Sequence, residues 1–417
     1  MNPAPPPLSR ALLALMAVTC GLLVAALYFS QPLTSLIGRD LGLAPQAIGF
    51  VVTLTQLGYC AGLIGLTPLG DIVENRRLVT TTMALAAVAL LVAALAPTGS
   101  AFLAASFVVG LTACAVQMLV PLAAHMAEPA RRGRVVGTMT GGLLLGILLA
   151  RPIASAIAGL GEHGAADADA ATAVAVTAGH SIFSGWRAVF AGAALLTALF
   201  AAILWRRLPV LRPAHAAPYA ALVGSMVTLF RTQPVLRKRA LTQAAVFGAF
   251  SLFWTAVPWL LLARGLDQHG IALFALAGAG GALIAPLAGR LADHGHTRAV
   301  CIAGMLSASA AFAITWAGGP LWLLVIAAIV LDAGVQANHV SGQREVLSID
   351  PASRNRLNSV YMATFFAGGA IASSIAGPLF HRGWSAVAAA GTLMPLLGLA
   401  VYLLHERREA LRATVAA

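Results

Sequence analysis

Charge is what this sequence has least of. Charged residues make up 10% of the 417, against the roughly 25% of a soluble domain, too few to cover a water-facing surface. Acids are the scarcer sign, with 14 Asp and Glu against 26 Lys and Arg. Lysine is almost missing: Lys238 is the one lysine among those 26, a bias that points to a high-GC bacterial genome. The four cysteines (Cys20, Cys60, Cys114 and Cys301) lie inside apolar runs, at no paired or metal-ligand spacing, so neither a disulfide framework, a metal site nor a cofactor is expected. These shortages exclude a soluble enzyme, a disordered chain and a disulfide scaffold. What fills the chain is apolar: 59% of residues, with a mean hydropathy of +0.87. A net charge of +12 would suggest nucleic acid in a soluble protein. Here the arginines sit between apolar runs, so the expected partner is a lipid bilayer and no nucleic acid.

A helix needs about 20 apolar residues to cross a hydrocarbon core. Twelve such runs can be read, near 11–31, 46–69, 78–96, 100–126, 135–160, 186–205, 240–263, 270–291, 299–317, 320–343, 357–378 and 385–404. With the N-terminus placed in the cytoplasm, arginines crowd the inner loops, among them Arg76, Arg77, Arg132, Arg134, Arg298, Arg354 and Arg356. Only Arg39, Arg187, Arg264 and Arg382 fall outside, and Arg151 falls within a span. That bias follows the positive-inside rule. The expectation is an all-α membrane protein of twelve transmembrane helices, multi-pass in the bacterial cytoplasmic (inner) membrane, both termini cytoplasmic.

The second half repeats the first. At an offset of 222 residues, Leu69, Asp71 and Arg76 match Leu291, Asp293 and Arg298, while Arg132, Arg134 and Gly146 match Arg354, Arg356 and Gly368. Gly185-Trp186 answers Gly383-Trp384 at 198, the shorter spacing reflecting an Ala/Asp-rich insertion around 161–184. Parallel duplicated halves are a transporter signature, with the binding site between them. The expected organisation is an N-terminal six-helix bundle over 1–205, a linker over 206–239, and a C-terminal six-helix bundle over 240–417. Within the linker Leu222, Val223, Met226, Leu229 and Phe230 share one face, which reads as an amphipathic helix lying on the cytoplasmic leaflet.

These features, taken along the whole chain, resemble the major facilitator superfamily. The loop after the second span, Thr67-Pro68-Leu69-Gly70-Asp71-Ile72-Val73-Glu74-Asn75-Arg76-Arg77, keeps the aspartate and last arginine of that family's Gly-x-x-x-Asp-Arg/Lys-x-Gly-Arg-Arg motif. The copy Gly289-Arg290-Leu291-Ala292-Asp293-His294-Gly295-His296-Thr297-Arg298 keeps the first glycine as well. Tyr28-Phe29-Ser30-Gln31-Pro32-Leu33, Gln56-Leu57-Gly58-Tyr59, and Arg132-Gly133-Arg134 followed by glycines 137, 141, 142 and 146 resemble the bacterial twelve-helix drug and sugar efflux branch. The resemblance implies two pseudo-symmetric bundles that rock about a central cavity. It also implies a cytoplasmic gate in which Asp71 meets the helix start near Arg356 and Asn358, and Asp293 the mirrored start near Arg134. Arg76, Arg77, Arg132, Arg298 and Arg354 join that gate, as do the acids Glu128, Glu345 and Asp350. A turn-forming aspartate is the plainer reading of Asp71.

Charges at a bilayer centre cost at least about 2.5–3.5 kcal/mol and mark function by default. Asp332 lies twelve residues from both Pro320 and Arg344, roughly 18 Å from either end of its span. Asp332, Gln336, His339 and Gln343 are spaced 4, 3 and 4 apart, so they share a face that must meet protein or water. Asp332 is read as the group that binds the proton, Arg151 as its partner and His339 as a relay, with a static salt bridge as the alternative. Gln56, Tyr59, Gln117, Gln243, Trp254, Gln336, Asn358 and Tyr361 are candidates to line the cavity, though a tryptophan can equally anchor at an interface.

The expected activity is secondary transport of a small organic solute, coupled to protons and directed outward as antiport, with the protein working as a monomer. A proton-coupled uptake symporter of a sugar or metabolite is the alternative. A membrane-embedded transferase fits less well, because no span carries paired carboxylates or a His-Glu-x-x-His zinc motif. No Walker motif is present, so an ion gradient is the remaining energy source and no enzyme activity is expected.

Overall fold

The computed structural model describes residues 8–44, 46–166, 185–211, 218–350 and 353–416. Most of the expected insertion (167–184) and part of the linker (212–217) lie outside the described residues. Among the described residues the chain is helical, with no strand. Contacts divide it into two compact units, one of Met1–Leu222 with Leu261–Leu276, the other of Val223–Leu260 with Ala277–Ala417.

The first unit holds α1 (Arg10–Ala25), α2 (Ser30–Asp40), α3 (Phe50–Gly65), α4 (Asn75–Leu95), α5 (Gly99–Ala113), α6 (Ala115–Met126), α7 (Arg132–Ala166) and α8 (Gly185–Arg207). Inside these helices, Thr53, Thr55, Thr82 and Ser106 turn their hydroxyls back to the carbonyl four residues earlier, which satisfies a polar group that apolar surroundings cannot. The helix α9 (Tyr219–Thr232) follows, and the predicted linker face is its inner face: Leu222 and Met226 are buried, and Val223, Leu229 and Phe230 half-buried. The second unit contains most of α10 (Pro234–Ala263), then α12 (Ala279–Asp293), α13 (Thr297–Ala313), α14 (Leu321–Leu347), α15 (Arg354–Ser374), α16 (Ala376–His381) and α17 (Trp384–Ala416). The short α11 (Gln268–Ala275) belongs to the first unit, where it packs on α7. Asp267 caps it by accepting from the Gly270 N–H at 2.8 Å.

Nine helices among the described residues are long and apolar enough to cross a membrane, ten if α1 and α2 form one span bent by 45°. Three of the twelve expected runs are therefore not among these nine. The run 11–31 breaks between Ala25 and Ser30, just ahead of Pro32, whose missing N–H is harmless only in a first turn. The run 270–291 passes through a 3-10 turn at Leu276–Gly278 before α12, in a stretch where Gly278, Gly280 and Gly281 weaken helix. The ninth run gives α13, apolar but only 17 residues long.

The duplication is written into the packing of each unit. In the first, α3 pairs with α5, α4 with α8 and α1 with α7; in the second, α12 pairs with α14 and α13 with α17. The conserved offset explains two of the matched glycines. A Cβ on Gly146 of α7 would stand 2.2 Å from the Gly21 carbonyl oxygen, and one on Gly368 of α15 would stand 2.3 Å from that of Ala244 on α10. The repeated Gly-Trp pair has a cause as well. Gly185 and Gly383 start α8 and α17 from positive φ, 57° and 100°, a conformation that favours glycine. The next residue sends its indole N–H to an acceptor on another helix or its end: Trp186 to Asp40 Oδ2 at 2.7 Å, Trp384 to the buried Thr315 carbonyl at 2.9 Å.

Candidate functional site

In the second unit, Asp332 sits on α14 at 7% exposure. Its Oδ1 accepts a 2.8 Å hydrogen bond from the indole N–H of Trp254 on α10. An indole N–H is a donor only, and a bond to an ionised acceptor is stronger than one between neutral groups, so the pair suits a buried carboxylate. Trp254 itself is 2% exposed and packs edge-on to Phe253 at 5.6 Å, a buried position rather than an interfacial anchor. Two turns further along α14, His339 stacks on Tyr361 of α15 at 5.7 Å and meets Phe365 edge-on at 5.3 Å. The Tyr361 hydroxyl lies 3.3 Å from the His339 carbonyl oxygen.

Amide pairs bracket this column. Asn338 donates to Gln243 Oε1 at 2.6 Å, and Gln343 donates to Asn358 Oδ1 at 2.8 Å. Gln336 is half-buried on the same helix. Gln343 belongs to the polar face read from the spacing of α14, whereas Asn338 was not singled out there; its signal was polarity within an apolar run.

In the first unit, Arg151 of α7 is 2% exposed. Its Nε donates to Gln31 Oε1 on α2 at 2.7 Å, and its guanidinium lies over the Tyr28 ring at 5.0 Å. Both partners come from the Tyr28–Leu33 segment singled out by resemblance, though neither was assigned a role. Gln117 on α6 donates to the Tyr59 hydroxyl on α3 at 3.1 Å, and Gln56 is buried one turn before Tyr59.

The expected gate residues lie at helix ends. Asp71 closes the 3-10 turn Thr67–Asp71, half-buried. Arg76 approaches Glu74 at 3.5 Å and stacks over Trp205 at 4.9 Å, while Arg77, Arg132 and Arg134 are exposed. Arg132 donates to the Ala127 carbonyl at 3.4 Å. Glu128 pairs with Arg131 at 3.5 Å. In the second unit Arg298 pairs with Glu406 at 2.8 Å, Arg354 caps the Leu347 carbonyl at 3.0 Å, and Arg356 bonds Ser225 and Ser353, each at 2.9 Å. The side chain of Asp293 lies outside the described residues.

One cluster went unread in the sequence. Arg239, at 3% exposure, grips Glu345 with two donors, Nε at 2.6 Å and Nη2. Its Nη1 reaches Cys301 Sγ at 2.9 Å, and its guanidinium lies over the Tyr402 ring at 4.9 Å. Four helices, α10, α13, α14 and α17, are tied together by this one side chain.

A helical, apolar chain that shelters an acid, an arginine and paired amides inside its spans has the build of a polytopic solute carrier. The profile of the Major Facilitator Superfamily matches residues 13–334 and 239–416, and the chain belongs to that family of transporters. It is 40% identical over 399 residues to the uncharacterized transporter YgaY of Escherichia coli, covering 95% of each chain. It is 35% identical over 395 residues to a "Probable transporter" of Streptomyces coelicolor, covering 94% of this chain and 86% of that one. Among solved structures it resembles a bacterial homologue of the human lysosomal transporter Spinster in an inward-facing, occupied conformation, with a TM-score of 0.71, 14% identity, and coverage of 95% and 96%.

Proposed function

We propose that this transporter carries a small organic solute out across the bacterial cytoplasmic membrane in exchange for protons. Solute and proton would take turns at the site as the halves 1–205 and 240–417, joined by 206–239, alternate access with both termini in the cytoplasm. Asp332 is the proton-binding group, Arg151 the cation that favours proton release at one stage, and His339 a relay. Gln56, Tyr59, Gln117, Gln243, Trp254, Gln336, Asn358 and Tyr361 contribute to the solute cavity. Asp71 and Asp293, with Arg76, Arg77, Arg132, Arg134, Arg298, Arg354 and Arg356, form the cytoplasmic gate. A monomer suffices.

The observation that carries this reading is Asp332: an acid at 7% exposure in the middle of an apolar helix, held by a donor that suits its ionised form. Maintaining such a group costs several kcal/mol unless it is neutralised or paired, and a group that exchanges protons with access to each side uses both states. The test adds a panel of sugars, drugs and metabolites to purified protein in weakly buffered detergent and reads proton release. A solute-triggered release in the wild type that disappears in Asp332→Asn and in Arg151→Gln supports the proposal. Unchanged release in Asp332→Asn removes Asp332 from coupling. Transport into inverted vesicles under an imposed pH gradient then fixes direction: solute accumulation driven by an acid interior means export, and its absence, with uptake in right-side-out vesicles, means symport.

A further inference from the structure

The surroundings of Asp332 are built differently from the same place in the first half. At the 222-residue offset, Asp332 corresponds to Gly110, Gly278 to Gln56 and Gly281 to Tyr59. In the first unit Gly110 of α5 lets the helices close: a Cβ there would lie 1.8 Å from the Thr55 carbonyl oxygen on α3. Bulk sits on the α3 side, as Gln56 and Tyr59, both about fully buried. The second unit exchanges the two. The side chain is now on α14, as Asp332, and the facing stretch is stripped to glycine. A Cβ on Gly281 would stand 3.0 Å from both Cβ and O of Asp332; one on Gly278 would stand 3.1 Å from Asp332 Oδ2 and 3.4 Å from Trp254 Cζ2.

We propose that Trp254 is a positioning residue that holds Asp332 Oδ1 as an acceptor while Oδ2 carries the proton. The inference rests on the reading of Asp332 as the proton-binding group. Its chemistry follows from the donor. Indole offers one N–H and no lone pair for hydrogen bonding, so the oxygen it touches must accept in both protonation states. In a protonated carboxyl the carbonyl oxygen accepts and the other oxygen bears the hydrogen. Oδ1, 2.8 Å from the indole nitrogen, is thereby the carbonyl oxygen, and the proton goes to Oδ2.

Other titratable groups on the elements around Asp332 sit further along their helices. Lys238 and Arg239 precede Trp254 on α10 by at least 15 residues, about 22 Å of helix. Arg290 and Asp293 follow Gly278 by 12 and 15 residues along α12, and His339 lies seven residues along α14. On α13, Cys301 is held at Arg239 and Arg298 at Glu406. On α15, Tyr361 lies beside His339, and Arg356 is at the helix start with Ser225. Arg151 in the first unit is the cation that the proposed function assigns to Asp332.

The test needs no solute. The full chain is labelled with fluorotryptophan, reconstituted in nanodiscs and followed by fluorine NMR as pH is varied. The Trp254 resonance, one of seven, is identified by its loss in Trp254→Phe, or in Trp254→Tyr if that variant does not fold. It should titrate in the wild type, and in Asp332→Asn it should be displaced and independent of pH. If Asp332→Asn leaves the resonance in place, the Trp254 contact is absent and the inference falls while the proposed function stands. If the resonance moves in Asp332→Asn yet does not titrate in the wild type, Asp332 carries no proton and the proposed function falls.

Discussion

Arg239 shows how one residue can be decisive and unreadable at once. In the sequence it is the third member of an Arg-Lys-Arg run and counts as one more inner-loop charge. In the fold it is buried, and Glu345, Cys301 and Tyr402 surround it. Glu345→Gln keeps the shape but removes the negative charge from a guanidinium that has little water to turn to. Loss of a charged hydrogen bond of this kind costs about 1.5–3 kcal/mol, and a lowered unfolding temperature in detergent should record it. Equal melting of variant and wild type would mean that the Glu345 carboxylate, a third exposed, contributes nothing net. Asp332 and Arg151 were legible for the opposite reason: a lone charge inside an apolar run stands out without any knowledge of its neighbours. That Trp254 and Gln31 are their partners did not stand out, because a hydrogen bond between residues 78 or 120 positions apart is a product of packing and leaves no trace in local spacing.

Helices in this molecule meet where side chains are missing. The 222-residue offset marked Gly146 and Gly368 as equivalent, and the packing gives both the same task of bringing a helix against a carbonyl of its partner. Substituting either by alanine forces backbone apart or twists it, and overpacking of this sort costs typically 1–3 kcal/mol, about that range being expected for each. Gly141 is the control. It lies on the same helix as Gly146 with nothing within 4 Å of an added Cβ, so Gly141→Ala should leave the fold unharmed or stabilise it by about 0.5–1 kcal/mol. Folded yield after heating, read by size-exclusion chromatography, separates the cases, and equal losses at all three positions would refute the argument. Breaks were harder to foresee than contacts. The interruption at Leu276–Gly278 and the bend between α1 and α2 fall within runs whose hydropathy is continuous, and hydropathy does not register backbone geometry. The Gly278–Gly281 stretch and Pro32 carried the only signal. Arg187 was another hidden role: assigned to the outside by charge bias, it donates to the Ala94 and Ala96 carbonyls, closing orphan acceptors at the end of α4.

At the scale of the whole chain, family and fold could be read from the sequence because both are distributed properties. Apolar runs, arginine placement and the repeat each sum over many residues, and no single substitution erases them. Orientation rests on the same kind of sum. A green fluorescent protein fused to the C-terminus should fluoresce, and alkaline phosphatase fused after Arg264 should be active; the reverse pattern would invert the topology. Substrate is the opposite sort of property, settled by a few cavity side chains whose neighbours come from distant helices, which is why composition is silent on it. A practical consequence follows from the scarcity of thiols noted at the outset. Cys20, Cys60, Cys114 and Cys301 are all buried, and thiols in such places react poorly. The unmodified chain should therefore be dark to water-soluble maleimides, so that a single cysteine introduced on any exposed turn becomes a clean address for a dye, a spin label or a tether without first stripping out the natural four.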